Sequence, residues 1–333
     1  MSGSWRGKRV LVTGGAGFLG SALCQALGAA GAEVTALDAL LPGTGARRAN
    51  LEGSGARLVE ADLRDADLPP LVDGIDALFN MAGQTSHAGS MADPFTDLAI
   101  NGHAQLRLIA ALRQGAPAAR VVHASTRQFY GRPQVLPVPE SHPIVPPDAN
   151  GVSKFAAEQY WLLENRVHGR PVTALRLTNC YGPRMRVMDA RQTFLGIWVR
   201  RVLEDAPFEV WGGEQLRDFS YVDDVVAAFL AAAEALVTKP GDTAGRAFNL
   251  GGDAPISLKD LGNAVVVAAG KGECVLRSFP AERAAIDIGS YHADDRAFRA
   301  LTGWSPHTDL PDGLRRTLDW FRPRLPTYLA DES

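Results

Sequence analysis

Arg9-Val10-Leu11-Val12-Thr13, running straight into Gly14-Gly15-Ala16-Gly17-Phe18-Leu19-Gly20, is the stretch on which the fold turns. The first five residues read as a short buried strand. The glycines then turn the chain sharply, let backbone approach an anion, and open a helix, predicted from about Ser21 to Ala30, whose positive end faces that anion. A second strand, Glu33-Val34-Thr35-Ala36-Leu37, ends at Asp38. That acid lies about twenty residues beyond the triad, where a carboxylate can accept the ribose hydroxyls of a dinucleotide. A glycine triad alone is only a tight turn. With strand, helix, strand and acid in order, it predicts a dinucleotide site built from Gly14, Gly17, Phe18, Leu19, Gly20 and Asp38. Asp38 would repel a 2'-phosphate, so NAD is favoured over NADP.

Strand-like runs recur downstream at Leu58–Leu63, Ala77–Gly83, Val121–Ser125 and Val172–Leu177, separated by helix-length segments. Strands alternating with helices predict an α/β protein with a Rossmann-type, doubly wound parallel sheet. After Gly182-Pro183 the pattern loosens into a smaller, interleaved substrate lobe. The chain is expected to cross back to the sheet near Phe219 to Val226 and Ala247 to Gly251. The division expected is residues 1–181 and 219–252 for the dinucleotide-binding domain, and 182–218 and 253–333 for the lobe.

At 333 residues and 46% hydrophobic content the chain can bury one large core and a smaller one. A net charge of −3 gives no support to a nucleic-acid partner. No apolar run of membrane-spanning length and no signal peptide is visible. The three cysteines, Cys24, Cys180 and Cys274, have neither disulfide nor zinc spacing, so no metal is expected and a reducing cytoplasm is.

The remaining motifs carry a resemblance. They are Ala124-Ser125-Thr126-Arg127-Gln128-Phe129-Tyr130-Gly131, Asn150-Gly151-Val152-Ser153-Lys154, Leu175–Arg184 and Arg217–Asp224. With the glycine loop, they resemble the extended short-chain dehydrogenase/reductase family, in its NAD-dependent nucleotide-sugar epimerase/dehydratase branch. The likeness runs through Gly303-Trp304-Ser305-Pro306 and a helix near Gly313 to Phe321. The family's Tyr-x-x-x-Lys element is matched at Lys154, but Asn150 stands where the tyrosine is expected. An amide does not titrate near neutral pH, so Asn150 is no substitute for a phenolate.

The resemblance implies site roles. Asp62 and Leu63 would flank the adenine, Ala82 and Gly83 would lie along the cofactor, and Lys154 would hold the nicotinamide ribose. Thr126 would hydrogen-bond the reacting sugar oxygen, with Ser125 beside it. Asn179, Arg217 and, more weakly, Arg283 would contact the substrate diphosphate, and Val210 lies in the stretch that packs the base. An arginine fork suits a diphosphate in charge and in geometry. Arg127 and Gln128 occupy places where dehydratases and decarboxylases carry a carboxylate, which counts against those reactions.

Two replacements for the phenol follow from the residues. The smaller Asn150 leaves room for a water relayed by Asn150, Thr126 and the ribose. Alternatively His87, just past the fourth strand, is a base suited to neutral pH, although a packing or surface histidine is the commoner case. Glu140 and His142 are weaker candidates. The expectation is an NAD-dependent nucleotide-sugar epimerase, acting at C4 of a UDP-sugar or else at C2. Ala82-Gly83-Gln84, Ser90, Asp93-Pro94, Asp97 and Asn101 resemble tyvelose 2-epimerase-like members. Other sugar-nucleotide chemistry, reductive or non-oxidative, and a catalytically silent NAD or sugar-nucleotide sensor remain open. A homodimer is also implied, through Leu106, Ile109, Ala110, Phe155, Leu162 and Leu163 on two helices.

Overall fold

The computed structural model describes residues 4–189, 194–252, 254–279 and 288–330. Its first unit is β1 (Arg9–Thr13), α1 (Phe18–Ala29), β2 (Glu33–Asp38) and β3 (Arg57–Glu60). A one-turn helix α2 (Pro69–Val72) then leads to β4 (Ala77–Asn80). Helices α3 (His87–Ala92), α4 (Pro94–Leu98) and α5 (Ala104–Gly115) follow. After them come β5 (Arg120–Thr126), α6 (Ala149–His168) and β6 (Val172–Leu177).

The sheet has seven strands in the order β11-β6-β5-β4-β1-β2-β3, with β11 at Arg246–Leu250. Every neighbouring pair in it is parallel. Strand β1 pairs with β2 on one side and β4 on the other, so the chain reverses its direction of travel there and opens a crevice at the strands' carboxyl ends. Alternation along β1 sorts the core into two layers. Val10 and Val12 pack with α1, and Leu11 packs on the opposite face with Leu108, Leu112 and Trp161 of α5 and α6.

Outside this sheet, β7 (Asn179–Tyr181) and α7 (Phe194–Leu203) precede β8 (Pro207–Trp211), β9 (Leu216–Arg217) and β10 (Phe219–Tyr221). Three separate two-stranded sheets pair β7 with β10, β9 with Ile256–Ser257, and β8 with Glu273–Arg277. The expected return to the central sheet near Phe219–Val226 is made by a helix packed on β5 and β6, and not by a strand. Val222 opens α8 (Val222–Thr238), with Asp223 and Asp224 in its first turn, where acids favour a helix start. Its buried alanines, valines and Phe229 share the core that also holds α1.

The helix expected from about Asp97 to Arg113 is present as α4 and α5, with a change of winding inside it. One π turn, Ala99–His103, separates α4 from α5, and there Asn101 turns its amide onto Gln84 and Asp97. Elsewhere, Arg47 clasps the carbonyls of Thr327, Tyr328 and Ala330, tying that segment to the loop after β2. Among the described residues no helix is long and apolar enough to cross a membrane, and no group of acidic, histidine or cysteine side chains is arranged to hold a metal.

Candidate active site

A cavity of about 530 Å³ opens at the β1/β4 crevice. Its wall includes Gly14, Gly17, Phe18, Leu19, Gly20, Asp38, Asp62, Leu63, Ala82, Gly83 and Lys154, the whole set expected from the sequence to touch a dinucleotide. Two glycines are required by contact. Gly14 has φ +65°, and a Cβ on Gly20 would lie 2.0 Å from the Gly14 carbonyl oxygen. The first turn of α1 is thereby pressed against the loop, and its free amides face the cavity.

Asp38 is fixed by the loop itself. Its Oδ2 accepts from the Ala16 amide at 3.0 Å and its Oδ1 from the Leu40 amide at 2.9 Å. Burial still holds its carboxyl above the usual range, against those amides. Asp62 is gripped by Arg64, with Oδ2 2.7 Å from Nη2, which holds its carboxyl below the ordinary value.

The residues fit a bound dinucleotide on three grounds: a glycine cradle closed to any Cβ, an acid, Asp38, at the end of β2, and a lysine, Lys154, on the same cavity wall. Lys154 has no hydrogen bond or ion pair among the described residues, and its Nζ lies over Gly83, 3.9 Å from where a Cβ would sit. Burial lowers its pKa, and the charges of Asp97 and Asp148 act the other way. Gln105 and His123 on the cavity wall were not foreseen. His123 is held neutral by burial and by the Lys154 charge, its pKa pushed down to about 3, and its Nδ1 lies 2.9 Å from Asn80 Nδ2. Asn80 also bonds Thr13 and Gln105 at 2.6 Å each. These polar residues sit within strand and helix patterns that read as core.

Asn150 sits apart from the cavity wall and is almost fully buried. Its two amide hydrogens go to the Gln84 carbonyl and to Asp97 Oδ2, each at 2.9 Å, and its backbone amide reaches Ser90 Oγ at 3.1 Å. Asp97 Oδ2 accepts from Asn101 as well, at 3.1 Å. Asn150 therefore ties the first turn of α6 to α4 and to the segment after β4. Both donors that the relay expectation would call on are committed to that tie.

Asp148 was missed, although an Asp just before a helix is a legible cap signal. It caps α6 by accepting from the Gly151 amide at 2.7 Å, and its Oδ2 also accepts from Gln128 Nε2 at 3.0 Å. His87 Nδ1 stands 2.9 Å from the same oxygen, a close but bent contact. These partners hold the Asp148 carboxyl below its usual range despite burial.

At the end of β5, Thr126 Oγ1 accepts from the Gln128 amide at 3.1 Å, and Ser125 donates to Glu158 at 2.7 Å. Glu158 is itself forked by the buried Arg176. Glu140 and His142 are occupied elsewhere: Glu140 accepts from the Asn249 amide, and His142 accepts from Gln134 and contacts the Pro143 carbonyl.

The expected substrate residues divide. Asn179 donates to the Asp218 carbonyl at 3.1 Å and accepts from Arg127 at 3.2 Å. Arg217 is buried and bonds the carbonyls of Leu216 and Gly289, not the Asp218 carboxylate. Val210 is a fully buried core side chain, so only its backbone is available to a ligand. Arg283 lies outside the described residues. Around Asn179, the buried Thr178 Oγ1, Asp218 Oδ1, Ser220 Oγ and Tyr291 hydroxyl have no partner among the described residues, a concentration of unmet polar atoms that suits a polar ligand.

Residues 10–251 match the model of the NAD dependent epimerase/dehydratase family. The chain belongs to that family. Its cofactor is accordingly NAD, in keeping with the glycine cradle and Asp38. It is 32% identical to a UDP-glucose 4-epimerase of Mycolicibacterium smegmatis over 94% of this chain and 98% of that one. Among solved structures, a UDP-glucose 4-epimerase of Thermotoga maritima with UDP-glucose superposes with a TM-score of 0.84 at 28% identity, covering 95% of this chain and 99% of that one. MoeE5 in complex with UDP-glucuronic acid and NAD gives 0.81 at 30% identity, over 95% and 99%. An NAD dependent epimerase/dehydratase fold therefore extends over nearly the whole chain.

Two outcomes follow from this geometry. Asp38→Asn should weaken NAD binding by tenfold or more in calorimetry, since a charged hydrogen bond is worth about 1.5–3 kcal/mol. Wild type should bind NADP more weakly than NAD, and equal affinity would remove the ribose role of Asp38. Asn150→Ala should lower unfolding free energy by about 1–3 kcal/mol by stripping a donor from buried Asp97. Asn150→Asp should be worse at pH 8 than at pH 5, because two adjacent carboxylates raise a folded-state pKa and stability is lost as pH rises from the unfolded value up through that raised one. Denaturant titrations at both pH values test this.

Proposed function

We propose that the protein is a nucleotide-sugar epimerase that inverts a hydroxyl-bearing carbon, C4 of a UDP-sugar first and C2 second, and that it works without the family's tyrosine, Asn150 standing in that place. The observation that carries the reading is the relation to UDP-glucose 4-epimerase at 32% identity across 94% of the chain, with the dinucleotide cradle intact. Bound NAD supplies reversible hydride acceptance. The protein's own residues do the remainder. Lys154 holds the ribose and keeps a positive charge beside the reacting carbon. Thr126 and Ser125 orient the sugar oxygen at the end of β5. Asn179 and Arg217 hold the diphosphate, and residues 182–218 and 253–333 form the lobe that encloses the sugar and excludes water.

The buried tie between Asn150 and Asp97 supports a second reading, a silent NAD or sugar-nucleotide sensor. One experiment separates them. Purified protein, with no cofactor added, should interconvert UDP-sugar stereoisomers in deuterated water with no deuterium entering the carbon, as read by NMR. Deuterium incorporation would indicate carbanion chemistry, a demand for added NADH would indicate a reductase, and binding without conversion would leave the sensor.

The same reading includes a homodimer. Ile109 and Leu162, expected at the interface, are buried within the chain, and Phe155 packs on Phe129 with centroids 5.3 Å apart. The apolar surface that remains is Met91, Phe95, Leu98, Leu106, Tyr160 and Leu163, with Phe95 85% exposed. Exposed apolar area of this kind favours self-association. Light scattering at micromolar concentration should give twice the chain mass, and Phe95→Glu with Leu163→Glu should halve it. A monomeric wild type refutes the dimer.

A further inference from the structure

The geometry points to His87, seated by Asp148, as the group that takes and returns the hydroxyl proton of the sugar in place of the phenol. This rests on the epimerase reading above. It differs from a water relay through Asn150, whose donors are spent on Gln84 and Asp97.

Three observations carry it. First, His87 Nδ1 lies 2.9 Å from Asp148 Oδ2, and the aspartate side chain is wholly buried while the imidazole is 44% exposed. A shielded carboxylate this close favours a proton on Nδ1, although the contact is too bent to be a hydrogen bond as it stands, and a proton there leaves Nε2 to accept. Second, the dyad is built into the parts that would hold the sugar. Asp148 caps the helix bearing Lys154, and its other partner, Gln128, donates its backbone amide to Thr126 Oγ1. Third, His87 lies next to the cavity: Ser86 and Gly89, on either side of it in the chain, both line the wall, while the imidazole itself stands outside it.

The charged groups facing this corner are Asp148 at the start of α6, Lys154 on α6 and Asp97 on α4. Lys154 keeps the corner from being uniformly anionic. In the forward half-reaction the sugar O–H bond breaks and its proton passes to His87 Nε2. With NAD bound, the cofactor would take the C–H electron pair as hydride while a C=O bond formed. In the return half it would give that hydride back to the other face of the carbon and His87 would restore the proton, so no oxidant is consumed. Asp148 acts only through His87 and is a positioning residue.

The test compares wild type, His87→Ala, His87→Gln and Asp148→Asn with UDP-glucose. An asparagine still caps α6, so Asp148→Asn should fold and retain NAD. His87→Ala and His87→Gln should lower kcat about 10²- to 10⁴-fold, with NAD retention and KM little changed. Added imidazole should restore part of the His87→Ala rate, in proportion to its unprotonated fraction as pH is raised. Asp148→Asn should lower kcat and leave KM unchanged. If wild type turns over and His87→Ala stays within about threefold of it, or if imidazole has no effect, the base assignment is overturned and the epimerase reading stands. If wild type turns over no nucleotide sugar, the epimerase reading falls and the His87 Cε1–H NMR signal decides the placement. A shift on adding UDP-glucose that Asp148→Asn abolishes sustains it, and an unmoved signal overturns it.

Discussion

The contact between Gly20 and the carbonyl of Gly14 governs the rest of the molecule. With no side chain at either glycine, the start of α1 closes onto the turn that leaves β1, and a row of unpaired amides is presented at the point where the sheet changes direction. Asp38 then reinforces the same turn from the next strand by accepting the Ala16 amide. A carboxylate that serves the loop's own backbone is positioned before any ligand arrives. This is preorganisation by hydrogen bonds that would exist in any case.

A comparable economy operates at the start of α6. Asp148 satisfies an orphan amide of the helix, fixes Gln128 beyond β5 and meets His87, while Asn150 one residue into the helix secures Asp97 and Gln84. Lys154 follows one turn later with no protein partner among the described residues. The turn on which the lysine depends is pinned at every polar contact, and the lysine is left uncommitted. In the reading proposed here, exchanging a tyrosine for an asparagine converted an active-site position into part of the scaffold. The proton chemistry then falls to a neighbour.

The sequence exposed those features whose physics is local. The limits of β1 and β6, the glycine turn and Asp38 followed from apolar runs and spacing, and the cavity wall contains every residue expected there. What it concealed depends on which side chain meets which across the fold. Asn150 read as a small residue leaving space, because nothing in the chain shows that Asp97, over fifty positions earlier, would occupy its donors. The form of the return near Phe219–Val226 was hidden, because Phe219–Tyr221 pairs with β7 and the segment that packs on the main sheet is α8. Val210 lies in a motif associated with base packing, yet the side chain itself belongs to the core. Gln105 and His123 on the cavity wall were hidden because each lies singly within an element patterned as interior.

The clasp of Arg47 on the carbonyls of Thr327, Tyr328 and Ala330 bears on how the molecule is assembled in time. These bonds join residues up to 283 positions apart, across a loop that lines the cofactor cavity on the Asp38 side. The glycine turn can form as soon as β1, α1 and β2 are available, since its contacts are local. The outer rim of the same cavity waits for a segment made roughly a whole domain later, at the cost of closing a very long loop. During synthesis the dinucleotide site is therefore half-built for most of the chain's growth. A ligand that favours the finished rim would act as a late folding aid as well as a reagent.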